Sequence, residues 1–285
     1  MSTSPVKKRK RPGKYARRKG RWLPLVMGLA VVWALVAGMV ALESALSQPE
    51  PTETTAPATE QTLPPNRYSA EDFTYSDGYL SCTAGAYALG IDVSSHQQEV
   101  DWIQVAQSGI EFAFIRIGYR GYTEGLLNKD EYADYNLTQA KAAGLQVGAY
   151  FYSQAISVEE AAQEAVFCVE LLKDHKLDLP VVFDWEYVSQ EARTGAMDRQ
   201  TLTQCALTFC QAVEEAGYEA MIYANPDIAQ NLYDLKALQS YRFWLALYSD
   251  TMDYPYQMDF WQYTDEGSVA GVSGDVDINL MFTYG

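Results

Sequence analysis

Two acidic side chains follow a buried strand in the segment VVFDWEY, residues 181–187. Strand side chains alternate between two faces, so Asp184 and Glu186 point to one side and Trp185 points to the other. Like charges repel, and burying a carboxylate without a partner costs free energy. Such a pair suits general acid catalysis, because a neighbouring charge raises the affinity of one carboxyl for its proton.

Short apolar runs alternate with helical segments from residue 87 onward. Ser157 and Glu160 have the spacing of a capping box, which predicts a helix start, while Gly144 and Gly217 are typical of helix ends. This alternation predicts an α/β fold with parallel strands, and eight strands indicate a closed, irregular TIM-like (β/α) barrel. The predicted strands cover residues 87–93, 111–118, 145–153, 179–185, 218–224, 241–248, 258–264 and 274–281.

Alternate residues of these strands separate into two sets. One set is apolar and is expected to face the outer helices. The other set should face the barrel interior and its mouth, at the C-terminal strand ends where such barrels carry their sites. Because the last strand closes against the first, Asp277 and Asp92 are expected to be neighbours. The interior set contains Asp92, Arg116, Tyr150, Tyr152, Asp184, Glu186, Tyr223, Trp244, Tyr248 and Asp277.

Carboxylates clustered among aromatic rings suit the cleavage of sugar chains. One acid protonates the acetal and another stabilises the positive charge that develops, while rings cover the apolar faces of sugars. Two plainer alternatives stay open: carboxylates that pair with Arg116, or carboxylates that bind Ca²⁺ or Mg²⁺. His96 and His175 are the two histidines of the chain, which disfavours a zinc site or a Ser–His–Asp triad. We expect no metal and no cofactor.

A basic N-terminal segment precedes a strongly acidic body. Ten of the 21 Lys and Arg residues come before Leu23 and no acid does, so the rest holds 11 against 37 Asp and Glu, a net charge of −26. A body of this charge repels phosphates. We therefore expect no nucleic-acid partner.

The uncharged stretch Leu23–Leu42 is long enough to span a membrane. Twenty helical residues cover about 30 Å, the thickness of the hydrocarbon core. Basic residues before it and acidic residues after it predict a single-pass protein of the cell membrane, with a cytoplasmic N-terminus and an extracellular body. The alternative is a long signal peptide cut near residues 45–47. The predicted domains are a basic cytoplasmic tail (1–22), a transmembrane anchor (23–42), a Pro/Thr/Glu-rich linker (43–66), an N-terminal extension (67–86) and the barrel (87–285).

Four cysteines lie in the part that is expected outside the cell: Cys82, Cys168, Cys205 and Cys210. An even number in that compartment allows two disulfides, in three possible pairings. Buried free thiols are the alternative.

Several motifs in order carry a resemblance to a known family. They are GIDVSSHQ (90–97), FIRIGY (114–119), AGLQVGAYFYS (143–153), LPVVFDWE (179–186), FWLALY (243–248) and FWQYTDEGSVAGVSGDVDIN (260–279). Together they resemble glycoside hydrolase family 25, the lysozymes of the muramidase kind, over about residues 87–285.

The resemblance implies a barrel that hydrolyses the β-1,4 bond between N-acetylmuramic acid and N-acetylglucosamine in peptidoglycan. It makes Glu186 the proton donor and Asp184 the companion that stabilises the transition state or orients the substrate's acetamido group. Asp92 and Asp277 become supporting carboxylates. The substrate-binding candidates are Tyr150, Tyr152, Tyr223, Trp244 and Tyr248.

The expected partners are peptidoglycan glycan strands and the membrane, and the protein is expected to be a monomer. The alternatives are a non-catalytic wall-binding or scaffold protein on the same barrel, and a glycosidase of chitin-like chains. The choice between retaining and inverting chemistry stays open, since it depends on a distance between carboxyl groups.

Overall fold

The computed structural model describes residues 62–282. Within this range the strands are β1 (Phe73–Ser76), β2 (Tyr79–Cys82), β3 (Tyr87–Val93), β4 (Phe112–Arg120), β5 (Leu127–Lys129), β6 (Gln146–Ser153), β7 (Val181–Trp185), β8 (Ala220–Ala224), β9 (Arg242–Ala246), β10 (Phe260–Gly267) and β11 (Val276–Phe282). The α-helices are α1 (Trp102–Gln107), α2 (Ala133–Ala142), α3 (Val158–Leu172), α4 (Arg199–Glu215) and α5 (Pro226–Asn231).

Eight of the described strands close a barrel, in agreement with the sequence. The order around it is β3-β4-β6-β7-β8-β9-β10-β11, and β11 pairs back with β3. The prediction of parallel strands is confirmed for β3 to β10 and is wrong for β11, which runs antiparallel to both of its neighbours. The reason is the short connection of residues 268–275, since a parallel crossover needs about a dozen residues or more. The strand β5 pairs with the end of β4, outside the barrel ring.

The two faces of the barrel strands form two separate cores, as their alternation predicts. The outward faces pack against the helices, with Ile91, Ile115 and Phe183 fully buried. The inward faces hold a plug of aromatic rings, in which Phe114 stacks on Trp244 at 4.7 Å between ring centroids. The side chains of this plug are buried inside the barrel, below a cavity at the C-terminal ends of the strands.

The predicted ends of the helices are confirmed, with one exception of detail. The Ser157 hydroxyl accepts from the Glu160 N–H at 3.4 Å at the start of α3. Gly144 and Gly217 follow α2 and α4 with φ of 95° and 91°. The capping box itself is half formed, because the Glu160 carboxylate turns to the Ile156 N–H and to Arg193 instead of the Ser157 N–H.

The last residues of the predicted linker and the N-terminal extension pack on the outside of the barrel at the end where the parallel strands begin, here called the N-terminal pole. Pro65 pairs with Tyr256, shortly before β10. The Tyr68 ring stacks on Phe282 at 4.5 Å, and the Phe73 ring meets Trp261 edge-on at 4.9 Å. The extension is therefore attached by aromatic packing.

All four cysteines are buried free thiols, which decides between the two alternatives left by the sequence. Residues 1–61, which include the predicted tail and anchor and most of the predicted linker, lie outside the described residues. Within residues 62–282, no helix has the length and apolar character that a membrane crossing requires.

The aromatic plug leaves no room for a side chain at Gly148. A Cβ atom there would lie 2.3 Å from the Phe114 ring, which is held between Trp244 and Phe260. We expect Gly148→Ala to lower the free energy of unfolding by about 1–3 kcal/mol, because overpacking displaces the rings. Urea denaturation measures this change.

The matched control is Gly121→Ala, since a Cβ atom at Gly121 would have its nearest neighbour at 3.8 Å. Equal stability of the two variants would contradict the packing of the plug.

Candidate active site

A cavity of about 200 Å³ opens at the C-terminal ends of the barrel strands. All nine predicted site residues line it, together with residues that the sequence analysis did not select. The lining is Asp92, Ser94, His96, Gln97, Arg116, Tyr150, Tyr152, Asp184, Glu186, Tyr223, Trp244, Tyr248, Gln262 and Asp277. A larger groove of about 570 Å³ lies beside Trp102 and Tyr135, and none of the nine residues lines it. The acid cavity is therefore the candidate site.

Asp92 and Asp277 are direct neighbours across the antiparallel pair β3–β11, as predicted. Burial, the charge of Asp92 and the hydrogen bond with that residue raise the pKa of Asp277 to about 9. Asp277 therefore keeps its proton at neutral pH and donates a hydrogen bond to Asp92. Burial also raises the pKa of Asp92, but hydrogen bonds from Asn279, Gln262 and Asp277 oppose this and support the ionised form.

Two amide side chains fix Asp92 in place. Asn279 Nδ2 and Gln262 Nε2 each donate to Asp92 Oδ2 at 2.8 Å. The Asn279 amide has a defined orientation, because its oxygen accepts from the indole N–H of Trp244 at 2.8 Å, and an indole N–H can only donate. The Asp92 carboxylate thus accepts hydrogen bonds of fixed direction from two uncharged side chains.

Phenol groups complete the network on the other side of Gln262. Its Oε1 accepts from the Tyr223 hydroxyl at 3.0 Å and from the Tyr248 hydroxyl at 3.2 Å. Trp244 is 1% exposed and forms the floor of the cavity, whereas Tyr248 is 54% exposed at its rim. The predicted aromatic residues therefore occupy different depths, and Tyr248 is the one most open to a ligand.

Asp184 and Glu186 both face the cavity, which confirms the alternation read from VVFDWEY. Burial raises the pKa of Asp184 well above its ordinary value, and the charges of Glu186 and Asp92 raise it further. The Asp184 Oδ1 atom is buried and has no hydrogen-bond partner among the described residues. Burial and then the charge of Asp92 likewise raise the pKa of Glu186. Both carboxyls therefore favour the protonated form more than a carboxyl in water does.

The alternative in which the inward carboxylates pair with Arg116 is not supported, because the ion-pair partner of Arg116 is Asp130, although the charge of Arg116 does oppose the rise that burial causes in the pKa of Asp184. Arg116 Nε lies 2.9 Å from Asp130 Oδ2, and its Nη2 donates to the Ser95 hydroxyl at 3.0 Å. Within residues 62–282, no group of three or more His, Cys, Asp or Glu side chains has the geometry to hold a metal ion.

Sequence reasoning missed the amide groups and underrated one histidine. Asn279 and Gln262 share strand faces with Asp277 and Phe260, so alternation could have found them. His96, which the sequence analysis did not place among the site residues, is exposed and lines the cavity. Ser94 and Gln97 bond to each other at the same rim, where the Gln97 oxygen accepts from the Ser94 N–H at 3.0 Å.

Clustered carboxyls and aromatic walls at the C-terminal strand ends of a barrel are typical of glycoside hydrolases as a class. The chain matches the family model of glycosyl hydrolases family 25 over residues 91–272, and it belongs to this family. It is therefore a glycoside hydrolase, and the resemblance seen in the motifs is confirmed.

Relatives and solved structures agree with this membership. The chain is 30% identical over 204 residues to the "Uncharacterized protein YegX" of Escherichia coli (strain K12), covering 67% of this chain and 68% of that protein. It is 30% identical over 202 residues to Lysozyme M1 of Streptomyces globisporus, covering 67% and 66%.

Among solved structures, the modular autolysin LytC from Streptococcus pneumoniae, in complex with a synthetic peptidoglycan ligand, superposes with a TM-score of 0.62 at 22% identity. That match covers 74% of this chain and 52% of LytC, so the chain spans about half of that protein. At this identity the likeness establishes the fold alone.

The raised pKa of Asp277 makes stability depend on pH. The folded state holds a proton on Asp277 up to about pH 9, whereas an unfolded chain releases it near the ordinary aspartate pKa of 3.8. The free energy of unfolding therefore falls as pH rises between these values. We expect Asp277→Asn to make this fall less steep, by at most about 1.4 kcal/mol per pH unit, the value for one proton.

Urea denaturation from pH 5 to pH 9 measures the slope. Asp253→Asn is the control, because Asp253 is exposed and lies outside the cavity. Equal slopes for wild type and Asp277→Asn would contradict a proton held on Asp277.

Proposed function

We propose that the chain is a muramidase that hydrolyses the β-1,4 bond between N-acetylmuramic acid and N-acetylglucosamine in peptidoglycan, with Glu186 as the general acid. The observation that carries the proposal is the position of Glu186 in a half-buried cavity beside Asp92, where burial and that charge raise its pKa. A carboxyl with a raised pKa keeps its proton to a higher pH than a carboxyl in water, and it can donate that proton to a leaving oxygen.

The other carboxyls take distinct parts in this proposal. Glu186 gives its proton to the oxygen between the two sugars as the bond to the anomeric carbon breaks. Water supplies the hydroxyl group that ends on that carbon, and its remaining proton restores Glu186. Asp92 stays ionised, held by its amide donors, and its charge stabilises the positive character of the transition state. Asp184 lines the same cavity and orients the acetamido group of the substrate, whose N–H is a fitting donor to a carboxyl oxygen.

The aromatic side chains give the cavity a preference for sugars. Tyr150 and Tyr223 lie edge-on to Trp244, at 6.2 Å and 5.0 Å between ring centroids. These rings provide apolar walls with hydroxyl edges, which match the C–H faces and hydroxyl groups of a glycan. A protein that only binds the cell wall needs sugar contacts but no protonated acid, so the acid cluster favours the enzyme over a non-catalytic wall-binding or scaffold protein.

The relatives support the choice of substrate. The Streptomyces globisporus relative is named a lysozyme, and the LytC structure holds a synthetic peptidoglycan ligand. Peptidoglycan strands are accordingly the proposed partner of this cavity.

The test is digestion of purified peptidoglycan by wild type and by Glu186→Gln. We expect wild type to release fragments with N-acetylmuramic acid at the reducing end. Loss of the proton donor should lower the rate by about 100-fold or more, since general acid catalysis contributes about 100- to 10,000-fold. Mass spectrometry of the fragments identifies the bond that is cut.

Release of N-acetylglucosamine reducing ends would assign a different bond. Equal rates for the two proteins would remove Glu186 from the mechanism. Chitin oligomers serve as the control substrate, and a preference for them would contradict the muramidase.

We further propose that Leu23–Leu42 anchors the protein in the cell membrane with the barrel outside. The support is the length of this stretch and the charge on its two sides. The described chain begins at the N-terminal pole, where Pro65 pairs with Tyr256, whereas the cavity opens at the opposite end of the barrel.

Cell fractionation with N-terminal sequencing tests the anchor. We expect the wild-type chain in the membrane fraction, with its basic N-terminus intact. A control chain with a cleavable signal peptide in place of residues 1–47 should appear in the medium. Wild-type protein in the medium that starts near residue 46 would establish a cleaved signal peptide instead.

A further inference from the structure

Glu186 follows the last residue of β7, and its main chain is held by a side chain from the neighbouring strand end. Gln154 comes directly after β6 and is fully buried. Its Nε2 donates to the carbonyl of Glu186 at 2.7 Å and to the carbonyl of Ser153 at 2.9 Å. Both amide hydrogens are therefore committed to carbonyl oxygens, and one of these oxygens belongs to Glu186.

Arg193 lies in the same loop as Glu186 and contacts the main chain of Gln154. Its Nη1 donates to the carbonyl of Gln154. The guanidinium also binds both carboxylate oxygens of Glu160, at 2.6 Å and 3.0 Å. A two-pronged pair of this kind sets direction as well as distance. Arg193 therefore links the first turn of α3 to the loop that carries Glu186.

The surroundings allow the guanidinium little freedom. The Arg193 side chain is 13% exposed and that of Glu160 is 22% exposed. A Cβ atom at Gly125 would lie 2.7 Å from Arg193 Cζ, so the β4–β5 turn lies directly against the guanidinium. Glu160 Oε2 also accepts from the Ile156 N–H at 3.0 Å, which holds the carboxylate in turn.

We propose that Gln154, Arg193 and Glu160 form a clasp that positions Glu186, an inference that rests on the proposed role of Glu186. None of the three lines the cavity, so they act through the loop and not on the substrate. A displacement of about 1 Å in a reacting group can cost about 100-fold in rate. Opening the clasp should therefore lower kcat, while KM changes little because the lining rings of Tyr223 and Trp244 lie on β8 and β9, away from the clasp.

The first arm of the test measures hydrolysis of peptidoglycan fragments by Arg193→Met. We expect kcat to fall by about 10- to 100-fold with KM within about two-fold of wild type. Arg193→Lys keeps the charge but loses the two-pronged geometry, so its kcat should be intermediate. The double variant Arg193→Met/Glu160→Gln should be no slower than Arg193→Met, because both changes open the same contact.

The matched control is Arg199→Met. Arg199 also donates to main-chain carbonyls, those of Gln230 and Asn231 at 2.7 Å and 3.1 Å, but these lie at the end of α5. It should keep the wild-type kcat. Thermal unfolding of each variant shows whether it is folded. If Arg193→Met does not fold, Arg193→Lys and Glu160→Gln are compared with the control by the same readouts.

The second arm of the test monitors the surroundings of the Glu186 carboxyl by a measurement that does not depend on catalysis. Isotope-labelled glutamate gives an NMR titration of the Glu186 carboxyl, assigned by its loss in Glu186→Gln. We expect the pKa of Glu186 to move down toward its ordinary value in Arg193→Met, because the carboxyl leaves the buried position beside Asp92, and to stay unchanged in Arg199→Met.

The two measurements distinguish a failure of the proposed function from a failure of the clasp. A wild type without activity would contradict the proposed function, and the titration alone would then decide on the clasp. A folded Arg193→Met with unchanged kcat, or with an unchanged pKa of Glu186, would overturn the clasp. A rise in KM at constant kcat would overturn it too, since it would indicate a role in binding.

Discussion

The site depends on keeping several carboxyl groups together in a buried space without a cation to neutralise them. Asp92, Asp184, Glu186 and Asp277 line one cavity, and Arg116 beside them is engaged by Asp130. Neutral donors and retained protons must therefore stabilise the cluster. The amides of Asn279 and Gln262 support the charge of Asp92, and a proton on Asp277 is shared with it.

The barrel makes these neutral donors effective. The aromatic plug below Trp244 closes the interior, so little water reaches the acids from that side and their pKa values rise. The same tryptophan orients Asn279 through its indole N–H. One residue that the sequence marks as a sugar contact thus also belongs to the electrostatics of the site, because it lies at the floor of the cavity.

Alternation of side chains predicted much of this arrangement. It identified the two faces of the barrel strands, because these depend on a local period of two. The eight strands were predicted from the apolar runs between helical segments, and the pairing of Asp277 with Asp92 from the closure of the barrel. The direction of β11 depends on the length of its connection, which the strand pattern does not contain. The contact of Glu160 with Arg193 was missed for a similar reason: the capping pattern is local, whereas Arg193 is 33 residues away and offers a stronger, charged donor. The amides of Asn279 and Gln262 lay on predicted strands, but amide groups carry no charge that would single them out.

Two arginines near the Glu186 loop contact main-chain carbonyls and not the Glu186 carboxyl. Arg193 and Arg120 donate to the carbonyls of Gln154 and Gly125, and their carboxylate partners Glu160 and Glu164 belong to α3. Arg116 lines the cavity and its charge opposes the rise that burial causes in the pKa of Asp184, whereas burial and the charge of Asp92 raise the pKa of Glu186. Arg193 is held by Glu160 on the helix side of the barrel and does not line the cavity. An arginine can therefore order the loop that carries Glu186 while burial and Asp92 raise the pKa of the acid.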